Sequence, residues 1–268
     1  MADYPLPLAN QTAAVTGASS GIGRATAITF ATQGADLIIH AHTNHQGLEE
    51  TADAIRALNR QVTCIYADLT CPNDQGRCVD EAFNAHPLIN IWVNNAGCDI
   101  LTGEASQWTF EQKLNALWEL DVRGTIGVCR HLCIPMAKIG KNENAVIINM
   151  GWDQAETGQR GDSGQLFAPA KAAVMAYSRS LARELAPQVR VNCLAPGWIQ
   201  TAWGADASSY WDQRACAESL MQRWGTPHDV AVTAAHIAAP AASFITGQVI
   251  QINGGLNHEH IPPLESGQ

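Results

Sequence analysis

Seven short, β-prone apolar runs alternate with longer amphipathic stretches, and this alternation limits the fold more than any other property of the sequence. The runs are Ala13 to Thr16, Asp36 to His40, Val62 to Ala67, Ile89 to Asn94, Ala145 to Met150, Val189 to Ala195 and Gln248 to Ile252. Helical segments of roughly 12 to 25 residues separate most of them, so successive strands are joined by crossovers and run parallel. A parallel sheet is covered by helices on both faces, which is why its strands read as nearly continuous apolar runs. The expectation is an α/β fold: a doubly wound parallel sheet of about seven strands flanked by helices. No Pro/Gly/Ser-rich linker and no internal repeat interrupts the alternation, so residues 1–268 are expected to form a single domain.

With 46% hydrophobic residues, the chain can bury a substantial core. It holds no run of about 18 apolar residues, so no membrane-spanning helix is expected. The start, Met1-Ala2-Asp3-Tyr4-Pro5, lacks a basic region followed by an apolar stretch, and a cytoplasmic location is expected. A formal charge of −9 argues against nucleic acid as a partner, since that needs a clustered Lys/Arg surface. The eight cysteines (Cys64, Cys71, Cys78, Cys98, Cys129, Cys133, Cys193 and Cys216) form no Cys-x-x-Cys pair and no zinc-ligand spacing, so no metal is expected. They read as small packing residues. Two alternatives stay open: a metal or redox pair at Cys129 and Cys133, one helical turn apart, and a reactive thiol at Cys98.

Two segments depart from the alternation. Gly151 to Gln165 is a polar connection ahead of a helix carrying Lys171, at the strand ends where ligands enter such sheets. Residues 201–223 read as a helical flap, with Trp203, Tyr210 and Trp211 in it and Trp224 just beyond; these rings either close over a substrate or bury against another subunit. Residues 256–268, including His258 and His260, form a tail.

Thr16-Gly17-Ala18-Ser19-Ser20-Gly21-Ile22-Gly23 follows the first strand and opens the first helix. Glycines permit a tight turn there, and the helix N-terminus offers N–H groups to a pyrophosphate. With Asn94-Asn95-Ala96-Gly97 after the fourth strand and Pro196-Gly197-Trp198-Ile199-Gln200-Thr201 after the sixth, this segment resembles the TGxxxGxG, NNAG and PGxxxT motifs of the short-chain dehydrogenase/reductase family. The resemblance runs from about residue 9 to Gly255. It implies a Rossmann-type fold, a nicotinamide coenzyme and a small-molecule substrate. The coenzyme-binding residues it implies are Gly17, Ser19, Ser20, Gly21, Ile22 and Gly23 in the turn, His42 and Thr43 after the second strand, and Asp68 and Leu69 after the third. Asn94, Ala96, Gly97, Lys171, Pro196, Gly197, Ile199 and Thr201 complete the set. The helices from Thr109 to Met136 and from Phe167 to Ala186 match the pair buried between subunits in the family, implying a dimer or homotetramer.

Coenzyme choice is read at the end of the second strand, where NAD-specific members place a carboxylate on the ribose 2′-hydroxyl. This chain has His40-Ala41-His42-Thr43-Asn44-His45. With no carboxylate there to repel a 2′-phosphate, NADP is favoured and NAD is not excluded.

The chemical residues depart from the family. Phe167-Ala168-Pro169-Ala170-Lys171 resembles its Tyr-x-x-x-Lys signature with phenylalanine in the place of the acid/base tyrosine, and phenylalanine has no proton to donate. Asp121 falls where the family has an asparagine. Trp152, or with a one-residue slip Asp153, falls where it has a serine. The catalytic candidates are therefore Lys171, Asp153 and Asp121, with Asp153 resembling the aspartate of pteridine reductases and leading as proton donor; Asp162 and Glu156 are weaker. Three readings follow: an oxidoreductase acting on a small carbonyl or imine compound with Asp153 or water supplying the proton, an inactive coenzyme-binding protein, and a lyase or epimerase.

Overall fold

A computed structural model describes residues 6–140, 143–201, 204 and 209–256. Its strands are β1 (Thr12–Val15), β2 (Asp36–Ala41), β3 (Val62–Tyr66), β4 (Ile91–Asn94), β5 (Val146–Met150), β6 (Arg190–Pro196) and β7 (Val249–Ile252). They form one sheet in the order β3-β2-β1-β4-β5-β6-β7, every neighbouring pair parallel. This is the single doubly wound, Rossmann-type domain expected from the alternation. The chain winds outward in one direction through β1, β2 and β3 and in the other from β4 onward. The carboxyl ends of β1 and β4 therefore flank the crevice where such sheets take ligands.

The helices are α1 (Gly21–Thr32), α2 (His45–Ala57), α3 (Pro72–Ala85), α4 (Phe110–Leu117), α5 (Thr125–Ile139), α6 (Asp162–Leu185), α7 (Ser209–Glu218) and α8 (Pro227–Ala238). Successive strand residues point to opposite faces. Ile39 and Ile148 join one core with Phe30 of α1 and Val230 of α8, while Ile38 and Ile147 join the other with Val79 of α3, Val128 of α5 and Leu181 of α6. Each such side chain, fully buried, contributes about 1.5–3 kcal/mol. A third, smaller cluster of Ile100, Leu117, Val122, Leu166 and Ala170 lies beneath Phe167.

Two details differ from the sequence reading. The polar connection is shorter than expected, because α6 begins at Asp162 rather than near Phe167. Gly161 precedes it at φ 90°, an acidic residue opens its first turn, and burial of Leu166, Ala170 and Val174 keeps the helix running through Pro169. The long helix expected from Thr109 begins with a capping box between Thr109 and Gln112, but Trp118–Gly124 winds as a π segment between α4 and α5. A π turn shifts the phase of the helix face and commonly does so beside functional residues. Of the flap, α7 is described, whereas Trp203 lies outside the described residues, as does the tail from residue 257 onward. No described helix is long and apolar enough to cross a membrane.

Candidate active site

The turn from Thr16 to Gly23 closes tightly because positions 17 and 23 carry no side chain. Gly17 sits at φ +65°, with a hypothetical Cβ only 2.8 Å from Ala96 Cα, and a Cβ on Gly23 would meet the Gly17 carbonyl oxygen at 2.2 Å. Asn95 Nδ2 donates to the carbonyls of Thr16 (3.0 Å) and Gly17 (3.1 Å), and Thr16 Oγ1 accepts the N–H groups of Asn95 and Ala96, both at 3.0 Å. His40 supplies a tie that the sequence reading missed. Its Nδ1 accepts the Gly17 N–H at 3.4 Å and its Nε2 donates to the Ala67 carbonyl at 3.0 Å. Burial lowers its pKa, favouring the neutral ring that can do both.

The turn and the ends of β2, β3 and β4 enclose a cleft of about 560 Å³. From the turn it is lined by Gly17, Ser19, Ser20, Gly21 and Ile22; from the neighbouring strand ends by His42, Thr43, Asp68, Leu69, Ala96 and Gly97; and at its far end by Lys171 and Thr201. Gly23 and Asn94 stand behind it. Asn94 is buried and bonded to Asn149 at 2.9 Å, so it braces β4 against β5. Gly21, at φ +53°, leaves the gap to Thr201 open, since even an added Cβ would reach nothing nearer than Thr201 Cγ2 at 3.6 Å. Ser20 uses no side-chain hydrogen bond to cap α1, whose N-terminal N–H groups begin here. An elongated cleft with a helix N-terminus and close backbone approach at its waist fits a dinucleotide with its pyrophosphate over the turn. Arg24 is not available at the ribose end: its Nη2 is held by the carbonyls of Ser19 and Gly47 and by Glu50 Oε2 at 3.0 Å.

A second cavity of about 280 Å³ adjoins the cleft, and Lys171, Phe167, Asn95, Leu101 and Thr201 line both. Pro196, Gly197 and Ile199 belong to this second chamber. Lys171 Nζ lies 2.7 Å from Asp121 Oδ2, and Asp121 Oδ1 accepts the Cys98 N–H at 2.8 Å. Asp121 is buried in the π segment, whose shifted phase turns it toward α6. The structure thus brings Lys171, Asp121 and Phe167 together.

Trp198 and Trp211 form the chamber's outer wall, their ring centroids 5.8 Å apart. Behind them Glu218 Oε1 accepts from Arg214 Nε at 2.6 Å, while its Oε2 accepts from Trp198 Nε1 at 2.8 Å and Gln154 Nε2 at 3.3 Å. The Arg214 guanidinium lies 5.7 Å from the Trp198 ring centroid and 5.3 Å from that of Trp211. This buried knot pins α7 to the chamber. In sequence Arg214 and Glu218 look like an ordinary exposed i,i+4 pair, and nothing there signals their burial.

Asp153, the leading proton-donor candidate, is placed elsewhere. The extended backbone of Trp152 sends its ring into the chamber, and the short 3₁₀ turn Asp153–Ala155 carries the carboxylate inward. Asp153 lines neither cavity; it is 1% exposed and lies behind Gly197, with Oδ2 accepting from Asn253 Nδ2 at 3.1 Å and Oδ1 without a partner among the described residues. Of the two neighbours it is Trp152, not Asp153, that shares the chamber with Lys171. Burial, with the Glu218 charge adding to it, pushes the Asp153 carboxyl from its ordinary 3.8 up to about 6. Between those values the folded state keeps a proton that the unfolded chain releases, so stability present at low pH is lost as pH rises, by about 3 kcal/mol. Asp153→Asn is expected to raise the urea midpoint at pH 8 and to lose that advantage near pH 4. A gain independent of pH would sink this account.

The other candidates stand apart. Glu156 pairs on the surface with Arg179 at 2.7 Å, and Asp162 opens α6 in solvent. Tyr210 is buried outside the chamber, its hydroxyl without a partner among the described residues. Burial pushes the Cys98 thiol up to about 11, which removes the thiolate a reactive cysteine needs. The Cys133 thiol donates to the Cys129 carbonyl, and among the described residues no group of His, Cys, Asp and Glu is arranged to hold a metal.

A family model described as Enoyl-(Acyl carrier protein) reductase matches residues 17–257. Cyclohexanol dehydrogenase of Rhodococcus sp. (strain TK6) is 30% identical over 272 residues, spanning 94% of this chain and 98% of that protein. Among solved structures, a 7α-hydroxysteroid dehydrogenase complexed with NADH and 7-oxo glycochenodeoxycholic acid matches with a TM-score of 0.84 at 28% identity, over 95% of this chain and 97% of its own. A Burkholderia cenocepacia short-chain dehydrogenase in complex with NADP matches with a TM-score of 0.82 at 29% identity, over 93% and 98%. With the family model and these relatives matching along nearly the whole length, the chain belongs to the short-chain dehydrogenase/reductase family of NAD(P)-dependent oxidoreductases.

Proposed function

We propose that the protein reduces a small carbonyl or imine compound with NADPH, through a site in which Phe167 occupies the place of the family's catalytic tyrosine. The observation that carries this reading is the position of Lys171 at the junction of the dinucleotide cleft and the aromatic chamber, held by Asp121 at 2.7 Å. When bound, the coenzyme supplies the hydride. A ketone reduced there would leave as a secondary alcohol, its carbon having gained a hydride and its oxygen, which receives the C–O π pair, a proton. Asp121 orients the Lys171 ammonium, which donates that proton directly or through water; the aromatic walls limit solvent entry. Preference for NADPH rests on His42, Thr43 and Asn44 at the ribose end of the cleft, with no carboxylate among them. The coenzymes in the solved relatives include both NADP and NADH.

Loss of NADPH absorbance on mixing with carbonyl and imine panels tests the reading. Phe167→Tyr adds a hydroxyl one helical turn from Lys171 and is expected to raise ketone turnover by about 10²- to 10⁴-fold, the usual worth of general acid catalysis. Coenzyme oxidation absent from both wild type and F167Y would overturn the proposal.

A further inference from the structure

The chamber beside Lys171 has a composition that narrows the substrate. Its walls beyond the coenzyme side include Trp152 and Phe167, with centroids 6.3 Å apart, and the Trp198–Trp211 pair, 5.8 Å apart, so aromatic rings line the cavity from both α6 and the flap side. Lys171 is the only charged side chain among its described lining residues. A charged ligand would find no further counter-ion there, and an anionic ligand group would compete with Asp121 for that single ammonium.

Along α6, Lys171, Phe167 and Ser163 follow one another at four-residue intervals, so they share one face over a little more than two turns, about 12 Å. The ammonium sits at the coenzyme end, the ring in the middle and the hydroxyl at the far end. Gln159 lines the chamber beside Ser163, and neither side chain makes a hydrogen bond among the described residues. One neutral donor–acceptor pair is thus left for a ligand group remote from the reacting centre. A cavity of about 280 Å³ is small by the standard of ligand pockets, which run from about 300 to 1,000 Å³, and holds a compact body rather than a long chain.

We propose that the chamber selects an uncharged, planar fused-ring ketone that carries a neutral polar group at the end remote from the reacting carbonyl. The ring body lies between the Trp152/Phe167 and Trp198/Trp211 walls, the carbonyl meets Lys171, and the remote group bonds Ser163 and Gln159. The assignment of the carbonyl end rests on the reductase reading above; the ring and remote-group assignments rest on the chamber alone.

Tryptophan quenching tests the two separately, using α-tetralone, a hydroxytetralone with its hydroxyl on the far ring, a tetralone carboxylate and a straight-chain decanone. Each is titrated with and without NADPH. Hydroxytetralone is expected to bind at least tenfold tighter than decanone or the carboxylate, with Ser163→Ala removing its advantage over α-tetralone. Trp211→Ala is expected to weaken both ring ketones about tenfold, while Trp211→Phe keeps most of their affinity and serves should the alanine variant fail to fold. Equal affinity for ring and chain ketones, or tighter binding of the carboxylate, overturns the inference. Selective ring binding without NADPH oxidation would leave it standing and count against the reductase reading instead.

Discussion

Glu218→Ala is expected to cost about 3–5 kcal/mol of folding stability, the usual penalty for breaking a buried ion pair from one side. The substitution strips the acceptor from Arg214, Trp198 and Gln154 at once and leaves a guanidinium that is 2% exposed without its partner. Arg214 Nη1 already has no partner among the described residues, so the remaining charge gains nothing in compensation. In a chain of this size each kcal/mol lowers the melting temperature by about 2–4 °C. The double variant Arg214→Met/Glu218→Leu removes both charges and is expected to lie closer to wild type than either single change. Denaturant unfolding of the three variants decides the matter; single variants within about 0.5 kcal/mol of wild type, the usual range for surface sites, would mean that the knot contributes little.

The second large effect falls on turnover. Lys171→Met is expected to slow ketone reduction by about 10²- to 10⁴-fold, because no other described chamber side chain carries a charge that can hold and pass a proton. It also leaves Asp121, 2% exposed, with only the Cys98 N–H, so the methionine variant is expected to lose stability as well. Lys171→Arg separates the two: it restores a partner for the carboxylate but passes a proton poorly, since guanidinium does not deprotonate in proteins. Recovery of melting temperature without recovery of turnover places Lys171 in the chemistry. Recovery of both by arginine would reduce it to a counter-ion.

The scaffold was legible in the sequence because each of its signals is local. Strand runs such as Ile147 and Ile148 are apolar on both faces, and the glycines at 17 and 23 stand where the chain must touch itself. What the sequence concealed depends on phase and on distance. Asp121 meets Lys171 from within Trp118–Gly124, which winds as a π segment, and no residue type there announces that winding. Asp153 and Trp152 are neighbours, so a one-residue ambiguity in alignment exchanges a buried carboxylate for a chamber wall. The aromatic chamber draws on segments around Trp152, Phe167, Trp198 and Trp211, which no window of sequence spans. The partners of Arg24, Glu50 and the carbonyls of Ser19 and Gly47, likewise appear only once the chain is folded.

The imidazole of His40 joins the phosphate turn to the end of β3 by using one nitrogen as acceptor and the other as donor. A second proton on that ring has no acceptor facing it and removes the one that receives the Gly17 N–H. Because burial holds this ring neutral, only acid below the ordinary imidazole range adds that proton, and it acts on the tie between the glycine turn and β3, at a distance from Lys171.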